Sequence, residues 1–245
     1  DFNTRSRLET LYQSLLLPIQ EELMQVEGQT LIFDVEGPLH YVPFAALHSG
    51  QSYLVNTHAS VLSVSPNVSD LMGLQASSSV SRFGDSDSRA YRRGFAQAGL
   101  ETQEFVGAAY DPASLGDAAR RSGVVQIESQ IVLSGSDEAV LGADLNEVDL
   151  SSVLVPIGRV ANRSSFLALI ASETLSSITA SQTGAEAVRG AGEDMETLHR
   201  FMASTNLGGL LMALWVTEER DTADTLRAFY QGWIRDGLSP PEALR

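Results

Sequence analysis

Gly123-Val124-Val125-Gln126-Ile127-Glu128-Ser129-Gln130 reads as a strand, and it decides the fold. It follows a predicted helix over 112–121 and, like most other predicted strands in the chain, it lacks clean apolar–polar alternation. Strands of that kind are buried on both faces. Outward from it, strands are expected at 30–35, 77–83, 101–106, 174–180 and 207–216. Helices are expected at 4–25, 89–99, 163–172, up to about 204, and 218–235. Tyr53 to Val64 is β-rich and ends at Ser65-Pro66, which opens a helix to about Gln75. Strands that alternate with helices predict an α/β chain: a three-layer sandwich with a largely parallel central sheet, with room for two fused lobes. The stretch 131–162 shows only short β pieces, with Gly135, Gly142 and many acids.

Leu8, Leu11, Tyr12, Leu15, Leu16, Ile19 and Leu23 recur at spacings of three and four, so 4–25 is an amphipathic helix that Pro18 can kink. Leu238-Ser239-Pro240-Pro241-Glu242 is the start of a capped helix. Both ends of the chain read as cut, as in a domain excised from a longer protein.

The net charge of −15 comes from 31 acidic residues against 16 basic ones, all Arg. Such a chain repels phosphate backbones and anionic lipid, so no nucleic acid or membrane partner is expected, whereas a basic protein partner suits it. The acidic stretch Asp137 to Asp149 reads as a solvated loop, with a docking face for a basic partner as the alternative. With no cysteine in the chain, disulfides, thiolate metal sites and a cysteine nucleophile are excluded. No apolar run reaches the roughly 18 residues of a membrane span. No metal or cofactor is expected. Asp85-Ser86-Asp87-Ser88 lacks the later glycine and glutamate of a calcium loop, and Gly184, Gly190 and Gly192 match no phosphate loop. Asp34, Glu36 and Glu128 read as chance carboxylates among many.

The run Gly37-Pro38-Leu39-His40-Tyr41-Val42-Pro43-Phe44-Ala45-Ala46-Leu47 resembles the signature of CHAT domains, which are caspase-like peptidase domains often joined to tetratricopeptide repeats. The Leu11-Tyr12 helix with Pro18, Ala213-Leu214-Trp215-Val216 with Asp221-Thr222-Ala223 and Phe229-Tyr230, and Gly237-Leu238-Ser239-Pro240 with Glu242-Ala243-Leu244-Arg245 resemble other parts of the family. The resemblance implies a single domain over 1–245, with an N-terminal lobe over about 1–110 and a degenerate peptidase lobe over about 111–245. It also implies a bacterial cytoplasmic setting.

In the family, one strand carries two histidines and a later loop carries the cysteine nucleophile. By resemblance, Gln126 and Gln130 stand at the histidine positions and Ser181 at the cysteine position, within Thr179-Ala180-Ser181-Gln182-Thr183-Gly184. A serine hydroxyl needs a general base within hydrogen-bond reach, and glutamine cannot take its proton. His40 reads as core or turn packing, His48 and His58 as lying far from the Ser181 loop, and His199 as an ordinary helix position. The expectation is therefore a pseudoprotease with no catalytic residue. Gln130, Ser181, Gln182, Thr183 and Gly184 would line a degenerate groove for a protein or peptide partner. The alternatives are a hydrolase using Ser181, and a structural domain packed on flanking repeats.

Overall fold

The computed structural model describes residues 2–63, 71–75, 77–84, 88–106, 112–133, 139–143, 146–160, 165–171, 202–213 and 218–245. The amphipathic N-terminal segment is broken where Pro18 requires it. Helix α1 (Phe2–Leu15) passes through a 3-10 turn at Leu17–Ile19 into α2 (Gln20–Gln25). Strands β1 (Thr30–Phe33) and β2 (Ala59–Leu62) pair in parallel as a small sheet of their own. Between them run short 3-10 turns, including Gly37–Tyr41 and Phe44–Ala46, so the signature run is coiled up and not extended. Tyr12, Leu16, Leu23, Phe44, Leu47 and Leu54 form the core of this N-terminal unit, and Phe33 stacks on Phe44.

The main sheet is built from β3 (Ser79–Gly84), β4 (Glu101–Val106), β5 (Val124–Leu133), β8 (Phe166–Ala171) and β9 (Gly209–Met212). They lie side by side in the order β4-β3-β5-β8-β9, and every neighbouring pair is parallel. Thus β3 and β4, which precede residue 110, share a sheet with β5, which follows it. Beyond Ser129, β5 turns from β8 to an antiparallel partner, β6 (Ala139–Ala143), which in turn pairs with β7 (Asn146–Asp149).

Helices cover both faces. On one face α3 (Arg89–Ala98) and α6 (Glu219–Tyr230) bury Tyr91, Phe95, Leu226 and Phe229 against Val80, Val124, Phe166 and Ile170. On the other, α4 (Pro112–Arg121) and α5 (Leu150–Val160) bury Leu115, Leu154 and Ile157 against Phe83, Val125, Ile127 and Leu169. The result is a three-layer α/β sandwich. Helix α3 starts at Ser88, whose hydroxyl accepts from Tyr91 N at 3.2 Å, and it stops at Gly99 with φ +77°. A short helix α7 (Pro240–Leu244), opened by a Ser239–Glu242 capping box, packs on β2 and so ties the small sheet to the sandwich.

Three expectations need correction. Residues 163–172 are not a helix: Phe166–Ala171 is the strand β8, flanked by β5 and β9 and buried from Phe166 to Ile170. Burial on both faces needs an unbroken apolar run, which leaves no periodicity to read. Residues 150–160, within the stretch read as β pieces, form α5, even though it contains Pro156. Packing of its Leu154 and Ile157 overrides a poor helical sequence. The acidic stretch from Asp137 to Asp149 is not simply a loop, because its backbone supplies β6 and β7. The expected strand 174–180, loop 183–192 and most of the helix to about 204 lie outside the described residues.

Candidate functional site

The chain leaves β3 toward β4 at one edge and leaves β5 toward the other half of the sheet, so the connections diverge between these two adjacent strands. The carboxyl ends of such a strand pair are where open α/β sheets usually admit a ligand. Here that place holds charge. Arg82 near the end of β3 and Glu128 in β5 point to the same face, under α3 and α6, and both are buried, Arg82 at 1% exposure and Glu128 at 7%. Arg82 donates from Nε to Glu128 Oε1 at 2.8 Å and from Nη2 to Glu128 Oε2 at 2.5 Å. Its guanidinium also lies 5.0 Å from the Tyr91 ring centroid and 3.8 Å from Glu104 Oε1.

Gln126 extends the network. Its Nε2 donates to Glu128 Oε1 at 2.5 Å, and its Oε1 accepts from the Tyr230 hydroxyl at 2.9 Å. Both ends of the amide are thus used, as a fully buried side chain requires. Nearby, the Ser88 hydroxyl donates to Glu219 Oε1, which joins the starts of α3 and α6. Gly84, opposite Glu128 in the register, has no spare room: a Cβ there would stand 3.0 Å from Arg82 Nη2 and 3.3 Å from Glu128 Oε2.

Burial pushes the Glu128 carboxyl above its ordinary pKa, while the hydrogen bonds and charge of Arg82 and the Gln126 bond pull it back. Burial disfavours the Arg82 cation, but Glu128 more than offsets this and holds it charged. Tyr91 and Tyr230 are both raised, first by burial and then by the nearby Glu128. The folded chain therefore keeps both phenols neutral at a pH where the unfolded chain ionises them. The stability this confers is complete below about pH 10 and falls above it, by up to about 1.4 kcal/mol per pH unit for each tyrosine. Urea midpoints measured between pH 8 and 11.5 should fall steeply above pH 10, and Tyr230→Phe should roughly halve that slope. An alkaline limb unchanged in the variant would contradict this assignment.

Gln130 lies in β5 opposite Gly142 of β6, and its side chain is outside the described ones. Ser181, Gln182, Thr183, Gly184 and His199 lie outside the described residues altogether, as do Asp85, Ser86 and Asp87. Of the histidines, His58 has Nδ1 2.8 Å from Thr57 Oγ1 and Nε2 3.2 Å from the Leu23 carbonyl oxygen. His48 accepts from Gly50 N at 2.9 Å and sits 3.3 Å from Glu9. His40 is buried in the turn Gly37–Tyr41. All three belong to the N-terminal unit. Asp34 and Glu36 are exposed there and do not join Glu128. Among the described residues, no group of three or more His, Asp or Glu side chains could hold a metal ion, and no helix is long and apolar enough to cross a membrane.

A family model described as CHAT domain matches residues 5–156. The chain belongs to the CHAT domain family. The match takes in the Gly37–Leu47 signature, Gln126 and Gln130, and it ends before Ser181. As a CHAT domain, the protein is a caspase-like, peptidase-related domain. No curated protein matches the chain. Among solved structures, it is similar to the flavodoxin-like domain of a Synechococcus sp. protein, at 14% identity over 63% of this chain and 96% of that one, with a TM-score of 0.37.

The resemblance to CHAT domains picks out Gln126 and, separately, Tyr230, but not that the two meet; it does not pick out Arg82 or Glu104, and it leaves Glu128 as a stray acid. A signal for the pair was present: Arg82 and Glu128 are opposite charges, each set inside a strand otherwise fit for burial. A charge in such a place is retained only with a partner.

Proposed function

We propose that this CHAT domain is a pseudoprotease that binds a protein or peptide partner without cleaving it. One observation carries the reading. Gln126, at a position where the family strand is expected to hold histidine, is locked by Tyr230 on one side and Glu128 on the other. An amide held in this way neither takes nor gives a proton near neutral pH, and it leaves no room for an imidazole. The buried Arg82–Glu128 pair occupies the same part of the sheet, between β3 and β5. His48 and His58 are engaged within the N-terminal unit. By the resemblance, the residues that would serve recognition are Gln130, Ser181, Gln182, Thr183 and Gly184.

The domain should release no product from fluorogenic peptide libraries, and its serines should resist a fluorophosphonate probe. A peptide array should still find ligands, and these should be lost on Thr183→Arg. Hydrolysis or labelling that vanishes in Ser181→Ala would overturn the reading in favour of a serine hydrolase.

A further inference from the structure

Among the described residues the β1–β2 sheet has two strands, and they are parallel. In a parallel ladder, alternate residues of a strand direct both main-chain groups to one neighbour. The Ser63 N to Phe33 O bond of 2.7 Å and the register Leu31↔Ser60 and Phe33↔Leu62 assign Leu31 and Phe33 to β2. The N–H and C=O groups of Thr30 and Ile32 therefore face the other way. No strand among the described residues pairs with β1 on that side. Ile32 is also 53% exposed, although it sits in the middle of a strand.

The charge of the chain segment that carries this edge is of one sign. Between Arg7 and Arg82 the chain contains no Arg or Lys. Glu27 precedes β1, Asp34 and Glu36 follow it, and all three are exposed. A second copy of the chain would bring the same acids against these, and like charges across a strand pair are destabilising. A cationic strand has the opposite relation.

We propose that the free edge of β1 accepts an extended cationic peptide segment of a partner protein as a third strand. Main-chain bonds to Thr30 and Ile32 would supply register, an apolar residue would cover Ile32, and arginine or lysine side chains would meet Glu27, Asp34 and Glu36. The site shares no residue with the groove proposed around Ser181, so variants of one leave the other's residues intact.

The test uses a short labelled peptide alternating arginine and valine, the same peptide N-methylated at alternate residues, and a glutamate–valine counterpart. Fluorescence anisotropy with the whole chain should show binding of the first alone. Affinity should fall about tenfold or more in the charge-reversed variant Glu27→Arg/Asp34→Arg/Glu36→Arg and in Ile32→Pro, which removes an outward N–H. The charge-reversed variant keeps the test decisive if Ile32→Pro does not fold. Equal binding of the N-methylated peptide would overturn the proposal, since acidic surface alone would then suffice. Absence of binding would also overturn it, as would a self-association of the chain that Ile32→Pro abolishes.

Discussion

Arg82→Met is expected to destabilise the protein by about 3–5 kcal/mol, because it leaves the Glu128 carboxylate buried without its cation. The loss goes beyond two hydrogen bonds. The Glu128 carboxyl is already penalised by burial, and Arg82 is the first group that offsets it. Gln126 alone cannot neutralise the charge, and the guanidinium also covers the Tyr91 ring. The double variant Arg82→Met/Glu128→Gln should be less destabilised than the single one, since a neutral amide at 128 can still accept from Gln126. A double-mutant cycle from urea denaturation reads this directly. Arg82→Met within about 1 kcal/mol of the parent chain would show that the pair contributes nothing that methionine cannot replace.

Trp233→Ala is expected to cost about 3–5 kcal/mol, the usual range for emptying a buried aromatic site. Trp233 is 1% exposed, in the π-helical turn Gln231–Arg235 that ends α6. Its ring centroid is 4.9 Å from Phe166 and 5.7 Å from Phe229, so it joins the helix layer to β8. Its Nε1 donates to the Leu74 carbonyl at 3.3 Å. Trp233→Phe should retain the ring contacts and lose mainly that bond, about 1–3 kcal/mol. Thermal and urea unfolding should rank parent, Phe and Ala variants in that order. An Ala variant as stable as the Phe variant would mean that the neighbouring rings collapse into the space.

Much of the alternation was legible because its boundaries carry punctuation. Gly99 ends α3, the helix 112–121 begins at Pro112, and between them 101–106 reads as the strand it is. Pro18 announced the break between α1 and α2. The failures share a cause. Phe166-Leu167-Ala168-Leu169-Ile170 is apolar throughout and made of residues equally at home in a helix, so only its place between β5 and β9 identifies it. Pro156 and Gly158 argue against α5, and it takes the packing of Leu154 and Ile157 to make it helical. The site was legible only as far as a motif reaches. Gln126 was singled out by resemblance, but its partner Tyr230 stands 104 residues away and is delivered by α6 crossing the sheet. Arg82 meets Glu128 because two parallel strands share a register, and nothing local in either strand states that register.

That register also bears on how the chain comes to fold. In the central sheet Val80 pairs with Val124, Val124 with Phe166, and Phe166 with Gly209, so these pairings join residues far apart along the chain. Each long loop must close before its ladder repays the lost entropy. Strand β5 borders β3 on one side and β8 on the other, so neither half of the sheet can gain its neighbour until β5 is in place. A nascent chain that has made β3 and β4 therefore carries an incomplete parallel sheet with its inner edge open, and it is at this stage that exposed strands would most readily find the wrong partner.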